Sequence, residues 1–304
     1  MLPINKIICG DALDTLKLIP DESVHIAITS PPYNLDKPYS NHNDLMDYNE
    51  YLDWTGRVWK ETNRVLVKGG RLCINMGENK RQSITYPTYS AFIQQCVDLK
   101  MLYRGTIIWN KNSAAKHCAW GSWNSCSNPH IVPRHEYIII FSKRQWKLEG
   151  NPADGDLDSE EFMKYTRSVW VFTPESKKKI GHPAPFPEEL PYRLIKFYSY
   201  KGNIILDMFA GSGTTGLVAR KLERNFILID NSMEYCKLAA KRLEREFQPL
   251  LFDKDIPKTE IITYEELKSD VQKVLLSVVA EKRTRYNIFQ KKQRLKYKKI
   301  HNKG

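Results

Sequence analysis

The chain has 304 residues, 41% hydrophobic and 11% aromatic, enough for one large domain with an insertion or for two modest ones. No run approaches the ~20 consecutive apolar residues of a membrane helix, and the opening MLPINKIICGDALD lacks the basic-then-apolar order of a signal peptide, so a cytoplasmic protein without a membrane partner is expected. The net charge of +12 is high for an ordinary metabolic enzyme and points to a polyanion; ten Lys or Arg against one acid lie between Glu281 and Gly304, an excess of nine.

In chain order, Ser23 to Ser30 reads as a strand that stops at Pro31-Pro32, because proline neither donates a backbone hydrogen bond nor lets a helix continue through it. Tyr33 is thereby presented on a stiff turn. Tyr48 to Val67 has helical spacing through Tyr51, Trp54, Val58, Trp59 and Thr62, and Gly69-Gly70 reads as the break before a strand at Arg71 to Asn75. A helix at Ala91 to Leu99 precedes strands at Tyr103 to Asn110 and Glu136 to Ser142. Leu190 to Ser199 is helical, Asn203 to Asp207 a strand, Thr214 to Leu222 helical and Asn225 to Asp230 a strand. This alternation predicts an α/β fold: a mostly parallel twisted sheet with helices on both faces.

Two stretches interrupt the pattern, 111–135 and 145–181, and read as long loops or a small inserted lobe of functional use. Past Gln248 the pattern changes again, and Thr263-Tyr-Glu-Glu266 is a capping box opening a helix towards the basic tail. The expected organisation is a catalytic domain over 1–248 and a basic, largely helical extension over 249–304. Six cysteines without a C-x-x-C pair indicate neither a zinc site nor a disulfide framework, and no other metal site is expected.

The stretch NIILDMFAGSGTTG, 203–216, ends a strand at Asp207, turns through Gly211 and Gly213 and opens a helix at Thr214. Glycines there admit a ligand close to the backbone, and Asp230, at the end of the next strand, is placed to meet a ribose. The stretch satisfies G-x-G-x-x-G, so a nicotinamide-dependent oxidoreductase is one reading. Against it, Asp207 would repel a pyrophosphate but suits a ligand carrying a sulfonium and an ammonium. A phosphate-cradling P-loop is excluded, since no Gly-Lys-Ser/Thr comes after the glycines.

Ser30-Pro31-Pro32-Tyr33 and Asp207-Met-Phe209-Ala-Gly211-Ser-Gly213-Thr-Thr together resemble the catalytic and cofactor motifs of the S-adenosylmethionine-dependent amino-methyltransferases of DNA. The catalytic motif comes first, as in the permuted group called β. Gly10-Asp11-Ala12, AWGSW, HEYIIIFSK and HPAPFPEELPYRLI extend the resemblance over about residues 5–247. It implies a Rossmann-like methyltransferase fold, duplex DNA as substrate and a prokaryotic setting, with a cognate restriction endonuclease as possible partner. Ser30, Pro31, Pro32 and Tyr33 would be catalytic. Asp207, Phe209, Gly211, Gly213 and Thr214 would border the methionine part of S-adenosylmethionine, Asp230 its ribose, and Asp11, Ala12, Pro185 and Phe186 its adenine side. His182 is expected to be a turn or packing residue.

Target recognition is expected within 111–181. There Trp120, Trp123 and Arg134 either meet DNA or anchor the loop, with Lys177 and Lys178 nearby and Lys291, Lys292 and Arg294 in the tail as further DNA contacts. Ser at the first motif position and HPAPFP are commoner in the N4-cytosine members, so the N4 amine of cytosine is favoured over the N6 amine of adenine. No cysteine lies in the catalytic motif, which excludes methylation at ring carbon through a covalent adduct. A DNA-binding protein with a vestigial cofactor fold is the non-enzymatic alternative. The recognition sequence and oligomeric state are not legible.

Overall fold

A computed structural model describes residues 2–34, 46–81, 84–112, 121–122, 124–131, 133–174, 187–246 and 259–278. The elements are β1 (Lys6–Cys9), α1 (Ala12–Leu18), β2 (Val24–Thr29), α2 (Tyr48–Val65), β3 (Leu66–Met76), β4 (Asn79–Arg81), β5 (Ile84–Tyr86), α3 (Thr88–Asp98), β6 (Met101–Asn110), β7 (His135–Lys143), α4 (Ser159–Tyr165), β8 (Val169–Val171), α5 (Glu189–Tyr198), β9 (Ile204–Asp207), α6 (Thr214–Lys221), β10 (Asn225–Asp230), α7 (Met233–Glu246) and β11 (Glu260–Thr263). A further helix, α8, covers 264–278.

Nine strands form one sheet in the order β11-β1-β10-β9-β2-β3-β7-β6-β8, and β4 and β5 pair as a separate hairpin. All neighbours are parallel except β3 with β7 and β7 with β6. The alternating side chains of buried strands face two separate cores. On one face Ile8, Ala27, Leu72, Ile74 and Phe141 pack with the Tyr51, Val58 and Trp59 stripe of α2. On the other, Ile7, Ile26, Ile28, Ile138 and Ile140 pack with Leu190 and Leu194 of α5, Leu217 of α6 and Cys236 and Leu243 of α7. The elements expected from the sequence are present within one or two residues at most ends, and the fold is the expected Rossmann-like α/β class.

Three departures have local causes. Gly69-Gly70 does not separate two elements but lies inside β3, where a bulge lets β3 advance from Leu66 to Arg71 while β2 advances from Val24 to Ile26. Gly69 needs its lack of a side chain, because it sits at φ +74° and a Cβ would collide with the Lys147 carbonyl. The interruption at 145–181 is not all loop. It contains α4 with a capping box between Asp158 and Glu161, and β8, which joins the sheet edge parallel to β6. Buried Arg224 grips the same stretch through a two-pronged pair to Asp156 at 2.6 and 2.8 Å. Finally, β11 lies beyond the expected boundary at 248 yet pairs with β1, so the chain returns to the sheet there; Thr263 and Glu266 form the expected capping box of α8.

Replacing Gly69 by alanine places a side chain both in a left-handed conformation and against a backbone carbonyl. The variant is expected to be at least about 2 kcal/mol less stable, read as a lower urea midpoint at unchanged slope.

Candidate active site

Four neighbouring strands, β1, β10, β9 and β2, end at one edge of the sheet, and each delivers part of the site. This is where an open α/β sheet leaves a crevice. β1 leads to Asp11, which caps α1 by accepting from the Asp14 N–H at 3.0 Å, followed by buried Ala12. β10 ends at Asp230. β9 leads to half-buried Phe209 and the glycine turn, and β2 to Ser30 through Tyr33.

The glycine turn is built by backbone geometry. Gly211 and Gly213 both have positive φ, +49° and +74°, and Gly213 caps α6. A Cβ on Gly213 would come within 2.8 Å of Ala239 Cβ. Asp230 secures the turn, accepting from Gly211 N–H at 2.8 Å and from Ser232 N–H at 2.9 Å, one bond on each oxygen. Burial raises its carboxyl above the ordinary range, partly offset by those two N–H groups. Arg242 of α7, which sequence reasoning missed, donates to Thr214 Oγ1 at 2.8 Å and pairs with Glu188 at 3.0 Å, tying the turn to the start of α5.

Asp207 occupies the centre of the site. It is 1% exposed and accepts three hydrogen bonds, from Thr29 Oγ1 at 3.0 Å, Phe209 N–H at 3.1 Å and Thr215 Oγ1 at 2.6 Å. Thr29 is the residue before Ser30, so one carboxylate fixes the end of β2 and the start of the glycine turn together. Its hydrogen bonds go to the protein, so what Asp207 presents to the crevice is the field of a buried carboxylate.

The Ser-Pro-Pro-Tyr turn is pinned from both sides. Tyr51 Oη donates to the Pro32 carbonyl at 2.7 Å, and Asn34, in the left-handed region at φ +56°, donates from Nδ2 to the Met46 carbonyl at 2.9 Å. Trp54 of α2 leans on Phe209 with ring centres 5.6 Å apart, so α2, which holds Pro32 through Tyr51, also touches the glycine-turn motif. Ser30 and Tyr33 are half-buried, and Ser30 Oγ donates to Tyr33 Oη at 3.3 Å.

Beneath Tyr33 lies a polar cluster that no local pattern announced. Glu136, second residue of β7, accepts from Tyr33 Oη at 3.3 Å and from Asn75 Nδ2 at 2.7 Å on one oxygen, and pairs with Lys111 Nζ at 2.5 Å through the other. Cross-strand register puts Glu136 opposite Trp109, whose ring stacks on Phe172 at 5.1 Å. The one available signal was HEYIIIFSK, where a charged residue leads an apolar strand. Arg134 is exposed just before β7, and its carbonyl accepts from Lys111 N–H at 3.1 Å. Trp120, Trp123, Lys177, Lys178, His182, Pro185, Phe186, Lys291, Lys292 and Arg294 lie outside the described residues.

The residues present fit S-adenosylmethionine. Asp230 keeps a free lone pair on each oxygen for a diol, Phe209 offers a half-buried ring, and the glycine turn exposes backbone rather than side chains. Burial lifts the Asp207 carboxyl to about 6, against the lowering by Thr215, Phe209 and Thr29 and with a further push from Asp230. Between the unfolded value of about 3.9 and about 6 the folded chain therefore holds a proton that the unfolded chain has released. The stability this group contributes is complete below that window and lost as pH rises through it. Asp207→Asn removes the titration, so the stability of the parent protein relative to this variant, from urea unfolding, should fall between pH 4 and pH 7, by up to about 3 kcal/mol.

Comparison with known proteins agrees with this geometry. The model of the N6/N4 methyltransferase family, described as DNA methylase, matches residues 24–241. The type II methyltransferase M.MjaVI of Methanocaldococcus jannaschii is 37% identical over 162 residues, 53% of this chain and 83% of that one. The type II methyltransferase M.HpaI of Haemophilus parainfluenzae is 32% identical over 259 residues, 80% of this chain and 75% of that one. A Thermus thermophilus protein described as a DNA modification methylase, solved with S-adenosyl-L-methionine, superposes with a TM-score of 0.67 at 28% identity, covering 85% of this chain and 98% of its own. With a family match spanning β2 to α7 and both motifs meeting at one sheet edge, the chain belongs to the N6/N4 family of DNA methyltransferases.

Proposed function

We propose that this protein methylates the N4 amine of cytosine within a specific sequence of duplex DNA, using S-adenosyl-L-methionine as donor. The observation that carries the reading is the bond from Thr29 to Asp207, which holds the catalytic serine's strand against the cofactor turn. When bound, the donor supplies an electrophilic methyl on a sulfonium sulfur.

The work of the protein is placement. An exocyclic amine is inaccessible in the duplex, so the nucleotide must be turned out at a cost of a few kcal/mol. Tyr33, stiffened by two prolines and by the Tyr51 bond to Pro32, is the stacking surface for the base, worth roughly 1–3 kcal/mol. The amine's lone pair is delocalised into the ring. Hydrogen bonds from its N–H groups to Ser30 Oγ and to the Pro31 carbonyl draw the nitrogen towards tetrahedral geometry and turn the lone pair to the methyl. The closed, polar surroundings of Asp207 and Asp230 favour a cation in the cofactor crevice.

Serine at the first motif position and the HPAPFP stretch support cytosine. Methylation of adenine at N6 is the second reading, because the family contains both chemistries. The type II relatives support a role as the modification half of a restriction–modification system with a cognate endonuclease, and the charge of +12 supports binding to the DNA backbone.

The test is incubation of the purified protein with mixed-sequence duplex DNA and S-adenosyl-L-methionine, digestion to nucleosides and mass spectrometry. N4-methylcytosine is expected, and Ser30→Ala should lower its rate of formation by about 10²-fold or more, the usual cost of losing one well-placed hydrogen bond to a reacting centre. N6-methyladenine would overturn the choice of base.

A further inference from the structure

The Glu136 cluster is not accounted for by stacking of the base or binding of the donor. Glu136 has a side chain only 13% exposed and meets the hydroxyl end of the ring that would carry the base. Gly77 makes room for this arrangement: a Cβ there would lie 3.2 Å from Tyr33 Cε2 and 3.4 Å from Glu136 Cγ. Three oxygens form a directed series. Ser30 Oγ donates to Tyr33 Oη at 3.3 Å, and Tyr33 Oη donates to Glu136 Oε2 at 3.3 Å. Asn75 and Lys111 fix the carboxylate at the end of the series. Both hydroxyl contacts are long for O–H···O pairs, as catalytic contacts often are before substrate tightens them.

Methyl transfer to an exocyclic amine leaves a nitrogen with four substituents and a positive charge. Its lone pair is no longer shared with the ring, so that nitrogen is a strong acid, and in a pocket filled by a stacked base there is little water to take its proton. Resting on the reading of Ser30 as the amine's partner, we propose that Ser30, Tyr33 and Glu136 form a proton relay that removes the amine proton as the methyl arrives.

As the nitrogen–carbon bond forms, the carbon–sulfur bond breaks with its electrons remaining on sulfur. The amine proton passes to Ser30 Oγ, the Ser30 proton to Tyr33 Oη and the Tyr33 proton to Glu136 Oε2. The products are a neutral methylated amine, a neutral thioether and a protonated Glu136. Solvent restores the carboxylate along the partly exposed Lys111 side. Even a carboxylate paired with lysine is basic enough for so acidic a donor. The relay requires only continuity of the hydroxyls.

Single-turnover methyl transfer in preformed complexes of protein, duplex DNA and S-adenosyl-L-methionine tests this. Tyr33→Phe keeps the stacking ring and removes the middle hydroxyl; Glu136→Gln keeps the shape and removes the acceptor. Each should slow transfer by about 10²-fold, the low end for general base catalysis, and the double variant should be no slower than the slower single. Dissociation constants for DNA and donor, by fluorescence, should stay within about threefold of the parent protein. The solvent deuterium isotope effect on transfer should disappear in both variants.

Parent-like transfer rates in Tyr33→Phe, multiplying effects in the double variant, or losses that appear as weakened binding would overturn the relay and leave Glu136 as a support for Tyr33. Tyr33→Phe decides the matter whether or not Glu136→Gln folds. Absence of any methylated base with the parent protein would instead defeat the proposed function itself.

Discussion

The site depends on one buried carboxylate. Asp207 joins Thr29, the last residue of β2, to Phe209 and Thr215 on either side of the glycine turn, and the hydrogen bond to Thr29 spans 178 residues of sequence. A charge taken almost fully out of water is tolerated only where donors surround it, and here three do. The consequence is geometric. The serine that would hold the amine and the turn that would hold the donor cannot drift apart without stripping a buried charge of its partners. The elevated pKa of Asp207 records what this arrangement costs at neutral pH.

Around that anchor the sheet order does the rest. β1, β10, β9 and β2 are adjacent although they come from both ends of the chain, so Asp11, Asp230, the glycine turn and Ser30 share one edge. Parallel strands point their ends the same way, and helices on both faces leave that edge open. The antiparallel β7 between β3 and β6 runs the other way. It therefore begins, rather than ends, at the crevice, bringing Glu136 to Tyr33.

Rigidity in the Ser-Pro-Pro-Tyr turn comes from several small constraints. Pro31 and Pro32 remove backbone freedom, Tyr51 holds the Pro32 carbonyl, and Asn34 takes a left-handed conformation that asparagine tolerates better than most residues. Trp54 against Phe209 adds an apolar brace between the two motifs. The proposed reaction, which would rely on aiming a weak nucleophile, would be served by this stiffness, since misplacement by an ångström carries a large penalty in rate.

Local features were legible in the amino-acid sequence. Prolines stopping a strand, glycines at a strand-to-helix turn, the acid ending the next strand and the 3.6-residue stripe of α2 are backbone and periodicity constraints written in neighbouring residues, and the α/β class follows from their alternation. Features that depend on distant residues emerged only in the folded chain. Asp207 suits a cationic ligand by charge, yet its oxygens are spent on protein donors, and one of these, Thr29, comes near only through the pairing of β2 with β9. Glu136 is 103 residues from Tyr33, and nothing in either neighbourhood predicts their contact. Gly69-Gly70 looked like punctuation and is a bulge, because the bulge exists only against β2 and the Lys147 carbonyl. β8 and β11 lie in stretches without strand periodicity and are strands because β6 and β1 offer them an edge. Buried polar groups take whatever partners the fold brings to them, so their roles are settled last.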